Sequence, residues 1–131
     1  MKLPVIPHNY TFVVLRVISG IIFISHGPAK LFYWSIPDFS GFLNAKGHVM
    51  GLPLAWIITI GEIVIGVCLT MGFKVWYCVI FHLLVIIPGI YLVHLHNGWF
   101  TVDHGTGGVE YSLLLVAMLL FLYSKGDKRI E

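Results

Sequence analysis

Arg16, Glu62 and His82 stand inside long apolar stretches of this chain, and His26, Lys30, His94 and Glu110 stand at the mouths of such stretches. An ionisable side chain at mid-bilayer costs roughly 2.5–3.5 kcal/mol on insertion scales, so each must face protein or water, and a membrane chain keeps such groups chiefly for function. Imidazole and ammonium groups donate hydrogen bonds to carbonyl oxygens, and a carboxylate beside them can exchange protons with the outside. The chemistry on offer is therefore polar recognition coupled to proton transfer.

The elements that must position these groups are four apolar runs, Thr11–Ser25, Leu54–Phe73, Val75–Leu95 and Val109–Tyr123. Hydrophobic residues make up 58% of the chain and charged residues 11%, with a mean hydropathy of +0.91. Those values lie outside the soluble range and predict an integral membrane protein. We expect an all-α fold, a four-helix transmembrane bundle forming one domain over residues 1–131, with helices at about 11–30, 54–73, 75–95 and 108–123. Four spans of about 20 residues leave no room for an extramembrane domain.

If the first helix runs outward, Lys2, Lys74, Lys125, Lys128 and Arg129 share one side and Lys30 and Lys46 the other. This bias puts both termini in the cytoplasm, with segments 31–53 and 96–108 outside and the cell (inner, cytoplasmic) membrane as the location. The N-terminus reads as an uncleaved signal anchor. Scattered basic residues form no stripe, which argues against nucleic acid as a partner. The aromatic-rich segment 31–53 suits a short amphipathic element at the outer interface. Only Lys74 separates the second and third helices, so these form an antiparallel hairpin through a tight turn at Gly72-Phe73-Lys74. Pro28 is expected to bend the end of the first helix, Lys30 to snorkel there, and Pro88-Gly89 to kink the third.

Depth arithmetic at 1.5 Å per residue puts His26 about 6 Å and Glu62 about 12 Å below the outer edge, with His94 and Glu110 within about 3 Å of it. Arg16 and His82 fall together, near 9 and 10 Å from the inner edge. Side chains lean toward a helix N-terminus, so groups on oppositely running helices can converge on one outer pocket. The competing structural reading is a buried polar cluster that only pins helix packing. Arg16 either snorkels inward or supplies a fixed positive charge for Glu62 and an anionic substrate.

No metal site is expected. The Glu-x-x-His pattern of di-iron bundles and the Cys-x-x-Cys-His of covalent haem are absent, and His94 and His96 can share a metal only where the helix has ended. Among the histidines only His26 and His94 match in depth as haem ligands, which makes haem a minor alternative. Cys68 and Cys78 flank the hairpin turn but read as small apolar packing residues rather than a disulfide. Walker, dinucleotide and nucleophile-elbow motifs are absent, so redox work would need a borrowed cofactor.

Leu15-Arg16, His26-Gly27-x-x-Lys30, Gly51-Leu52-Pro53, Glu62 with Gly66, His94-x-His96-Asn97-Gly98-Trp99-Phe100 and Gly107-Gly108-x-Glu110-Tyr111 occur in this order. Their order and spacing resemble the DoxX-like family of small four-helix membrane proteins over about residues 10–125. The chain departs from the family at Ser124-Lys125-Gly126-Asp127-Lys128, where a Gly-Pro-Gly ending is common. Some members resemble subunits of a thiosulfate:quinone oxidoreductase, which implies a quinone-linked membrane subunit. On that reading Glu62, His26 and Arg16 are catalytic, and His26, Lys30, His94 and Glu110 bind the quinone. The lipid membrane, quinone and a partner protein or larger complex are the expected partners. The alternative is a non-enzymatic scaffold or assembly subunit of a larger respiratory or redox complex.

Overall fold

The computed structural model describes residues 6–126. Lys2, Lys128 and Arg129, which enter the sidedness reading, lie outside the described residues. Helix α1 spans His8–Phe32, α2 Ile36–Ala45, α3 Gly51–Met71, α4 Val75–Leu92 and α5 Glu110–Lys125, with a 3-10 turn at His94–Asn97. There is no strand among the described residues. Helices α1, α3 and α4 are long and apolar enough to cross a membrane. Their outward faces expose Val14, Ile18, Ile57, Val64, Leu84 and Ile87, side chains whose natural solvent is hydrocarbon. The protein is a multi-pass membrane protein.

Helix α1 packs chiefly against α3, α3 also against α2 and α4, and α5 against α4 and α1, so the four longer helices close a ring. The α1–α3 contact is antiparallel and close because glycines line it. A Cβ added at Gly66 would lie 2.8 Å from Ile24 Cγ1, and one at Gly27 would lie 2.8 Å from the Thr59 carbonyl oxygen. Without lateral hydrophobic drive inside a membrane, such backbone approach is what lets two spans gain dispersion energy.

Each turn ends by a local device. Helix α3 stops at Gly72 (φ 78), where Phe73 N–H donates to Cys68 O at 2.9 Å and Gly72 N–H to Leu69 O at 3.1 Å. This is a Schellman motif, and it makes the expected tight hairpin with Lys74 also left-handed (φ 46). Helix α1 does not end at Lys30. It runs through Pro28 to Phe32, and Trp34 (φ 50) takes the left-handed position while its ring meets Trp56 edge-on at 6.4 Å. Helix α4 is shorter than predicted and passes through Pro88 to Leu92 before the 3-10 turn.

The segment expected at the outer interface forms α2, which turns Ile36, Ser40 and Leu43 inward to a small cluster with Ala55. Asn44 Oδ1 accepts the Gly51 N–H at 3.0 Å and so ties α2 to the start of α3. The main core is Phe12, Phe23, Leu69, Val75, Cys78, Val79, Leu115, Leu119 and Leu122, contributed by α1, α3, α4 and α5. Cys68 and Cys78 are free thiols, Cys78 buried in that core.

Gly27→Val would drive a branched side chain into Ile63 and the Thr59 carbonyl. The expected outcome is a loss of about 1–3 kcal/mol, the usual cost of overpacking, read as a lower thermal midpoint in detergent. Gly41→Val, where an added Cβ meets nothing within 4 Å, should change it far less.

Candidate functional site

Lys30 and Glu62 meet. The Lys30 Nζ lies 2.5 Å from Glu62 Oε2, with the side chains 20% and 8% exposed. The antiparallel register opposes Gly27 to Thr59 and Ile63, so Lys30 and Glu62 are offset by roughly one turn along the axis. Each side chain leans toward its own helix N-terminus, and in antiparallel helices those leans close the offset. Lys30 therefore turns inward to a carboxylate instead of snorkelling. Two opposite charges that share a hydrogen bond can stay in a low-dielectric interior where either alone would be strongly disfavoured.

Helix α2 contributes to the same spot. Phe39 presents its ring to the Lys30 ammonium at 5.1 Å from the centroid, a cation–π contact that stabilises the charge without adding a competing acceptor. Thr59, one turn before Glu62, is fully buried but donates its hydroxyl to Ala55 O at 2.7 Å. It takes no part in the pair. His26 lies one turn before Lys30 on α1 and is exposed.

The other predicted site residues have contacts of their own. His94 Nδ1 is 2.7 Å from Gly107 O, and Glu110 Oε1 accepts the N–H groups of Thr101 at 2.7 Å and Val102 at 3.2 Å. Both hold the 98–109 loop, which is further closed by Val109 N–H to Gly98 O and Glu110 N–H to Trp99 O, at 3.0 and 3.1 Å. Thr101 donates to Gly108 O at 2.9 Å and Thr106 to Asn97 O. Arg16 reaches the opposite end of the bundle. Its guanidinium packs over Gly72 and lies 5.9 Å from the Phe12 ring centroid. Gly72 is ten residues beyond Glu62 on α3, about 15 Å along the helix, so Arg16 and Glu62 do not form a pair.

His82 is the residue that the sequence reading left out of the site. It is fully buried, stacked on Phe23 with centroids 3.8 Å apart and rings 10° from parallel, and Phe81 meets it edge-on at 5.4 Å. Neither ring nitrogen has a hydrogen-bond partner among the described residues. An unsatisfied buried donor costs about 1–3 kcal/mol, and its retention calls for a reason. The i, i+3, i+4, i+7 spacing of Val75, Cys78, Val79 and His82 marks the inward face of α4 and was legible in the sequence. Its depth was not. Phe23, which His82 faces, lies seven residues beyond Arg16 on α1, so the two ionisable groups are separated by about 10 Å along the axis.

Among the described residues no group of three or more His, Cys, Asp or Glu side chains is gathered to hold a metal. A surface groove on α4, lined by Ile80, Leu83, Leu84, Ile87 and Pro88, is apolar and does not include the ion pair.

A family model for DoxX matches residues 11–95, more than half of the chain. The chain belongs to the DoxX family. The matched stretch contains Arg16, His26, Lys30, Glu62, His82 and His94, while the Gly107-Gly108-x-Glu110 motif lies beyond it. No curated protein and no solved structure matches the chain.

Removing one partner of the Lys30–Glu62 pair should cost more than removing both. Lys30→Met leaves a carboxylate buried without its cation, with an expected loss of about 3 kcal/mol, and Lys30→Met with Glu62→Leu should recover most of it. Chemical unfolding of the singles and the double in detergent measures the difference. A double-variant loss equal to the sum of the two single losses would mean that the pair contributes no coupling.

Proposed function

We propose that this DoxX-family protein is the membrane subunit of a quinone-linked oxidoreductase. In this reading α1, α3, α4 and α5 span the cell (inner, cytoplasmic) membrane and both termini face the cytoplasm. Helix α5 has only 16 residues, about 24 Å, but it is apolar and carries Tyr111 and Tyr123 near its ends, as an interface-anchored span would.

The observation that carries the proposal is the Lys30–Glu62 pair held inside the bundle toward its outer end, with His26 one turn away. Quinone reduction takes two electrons and two protons. The electrons come from a small sulfur compound or a partner redox protein, since the chain has no nucleotide or covalent haem motif. Lys30 and His26 donate hydrogen bonds to the quinone oxygens, and Glu62 and His26 deliver the protons. His94 and Glu110 contribute by holding the 98–109 loop at the outer end, and Arg16 by keeping a fixed positive charge at the inner end. Burial of the pair is what makes it useful, because proton exchange there is sensitive to a ligand that competes for the ammonium.

A second reading, a scaffold subunit of a larger complex, draws on one feature. Phe32, Tyr33, Trp34, Val49 and Met50 are all exposed around the ends of α2. Stable copurification with one large complex, unaffected by Glu62→Gln, would favour it over the enzymatic reading.

Titration of the purified protein with a water-soluble quinone analogue, followed optically, tests the main proposal. Glu62→Gln is expected to weaken binding about tenfold, equivalent to about 1.4 kcal/mol. Identical curves for the two proteins would overturn it.

A further inference from the structure

One edge of α1 repeats at steps of four and three residues, Phe12, Arg16, Ser19, Phe23, His26 and Lys30, with Phe12, Ser19 and Phe23 buried and His26 exposed. That spacing keeps one seam facing the same neighbours along the helix. Phe23, in the middle of the seam, carries the His82 ring of α4, and His26 follows Phe23 on the seam, about 4.5 Å further along the axis. Lys30, at the outer end, carries Glu62 of α3. Three helices thus bring four titratable groups to consecutive levels of one seam. His26, one turn from Lys30, is exposed, and the level beyond it holds the fully buried imidazole of His82.

The hydroxyls along the way are already committed. Ser19 donates to Leu15 O at 2.6 Å and Thr59 to Ala55 O at 2.7 Å. His82 differs in having both ring nitrogens without a partner among the described residues. An imidazole in this state accepts a proton on one nitrogen and releases one from the other, which a hydroxyl bound to a backbone carbonyl cannot do as readily.

We propose that His82 is the inner terminus of a proton path that enters the protein at the Lys30–Glu62 pair and follows the α1 seam past His26. The Glu62 carboxylate takes a proton from outer water and passes it to one ring nitrogen of His26. His26 releases the proton from its other nitrogen, and His82 receives it, directly or through water. Only O–H and N–H bonds form and break, one positive charge moves inward, and no electrons are transferred. His82 holds the proton until it returns by the same route or goes to a bound proton acceptor.

Access is one-sided. Inward of His82 the core is closed by Phe12, Leu69, Val75, Val79, Leu115, Leu119 and Leu122, and Arg16 lies beyond at Gly72. The titratable and charged groups on the surrounding helices are Arg16, His26 and Lys30 of α1, Glu62 and Cys68 of α3 and Cys78 of α4, with His8, Tyr10, Tyr77, Tyr91, Glu110, Tyr111, Tyr123 and Lys125 nearer the helix ends. The inward side chains of α5, Ser112, Leu115, Leu119 and Leu122, are not ionisable. The path does not depend on the quinone reading, and its test uses no quinone.

Exchange of the His82 ring N–H with deuterated water tests it, followed by NMR of the full chain with ring-labelled histidine in lipid nanodiscs. In the wild type the ring proton should exchange while the backbone amides of Val79 and Leu83 stay protected. Glu62→Gln should slow the ring exchange about tenfold, and Glu62→Asp should restore most of it. Because Glu62→Gln also breaks the ion pair, His26→Gln at an exposed position is the companion variant, with the pair intact and slowing of the same order expected. Unchanged amide protection shows that each variant is folded. A wild-type ring proton as protected as those amides would overturn the proposal, as would ring exchange in a folded Glu62→Gln or His26→Gln variant equal to the wild-type rate.

Discussion

A charge placed in hydrocarbon has to be met by another charge, and the Lys30–Glu62 pair is where this protein meets that demand. The pair exists only because α1 and α3 run antiparallel at close range. That range in turn depends on Gly20, Gly27 and Gly66, whose missing side chains let the backbones approach. Packing and electrostatics are therefore one problem here. Separating the helices would strand a carboxylate in an apolar surround, and losing either charge would leave the close interface with an uncompensated group.

The end of the bundle that carries α2 is organised around that pair. Helix α2 is tied to α3 by Asn44 and places Phe39 over the Lys30 ammonium, so an element that reads as an interfacial segment also covers a buried charge. The 98–109 loop is held separately. His94 and Glu110 bond to its backbone, and a loop with so many internal hydrogen bonds can keep a fixed shape at the membrane edge, where water competes for every donor. The opposite half is apolar core, and Arg16 is set apart from the Lys30–Glu62 pair by that core.

Much of this was legible without coordinates. Apolar run length marked α1, α3 and α4 as long enough to span, Gly72 and Lys74 marked the hairpin turn, and Glu62 and Lys30 stood out because ionisable groups are rare in such runs. Other expectations changed. Helix α1 was expected to end at Lys30 but runs to Phe32, and the stop comes from the left-handed turn at Trp34, braced by Trp56. Lys30 was expected to reach the headgroups, yet a carboxylate within reach outcompetes them. His82 was assigned the depth of Arg16 because the arithmetic started each helix at the edge of its apolar run. The true offset between α1 and α4 is set by how their ends pack.

The sequence by itself determined the membrane-spanning class, the DoxX resemblance, the helical hairpin and the set of ionisable residues that needed shelter. These follow from composition and from short-range spacing, which act along one helix at a time. Only the tertiary structure decided which of those residues meet: Lys30 with Glu62, His82 with Phe23, His94 and Glu110 with the loop, and Arg16 with Gly72. Pairing between helices depends on axial register and on glycine-limited approach distance, and neither quantity is written in any single helix.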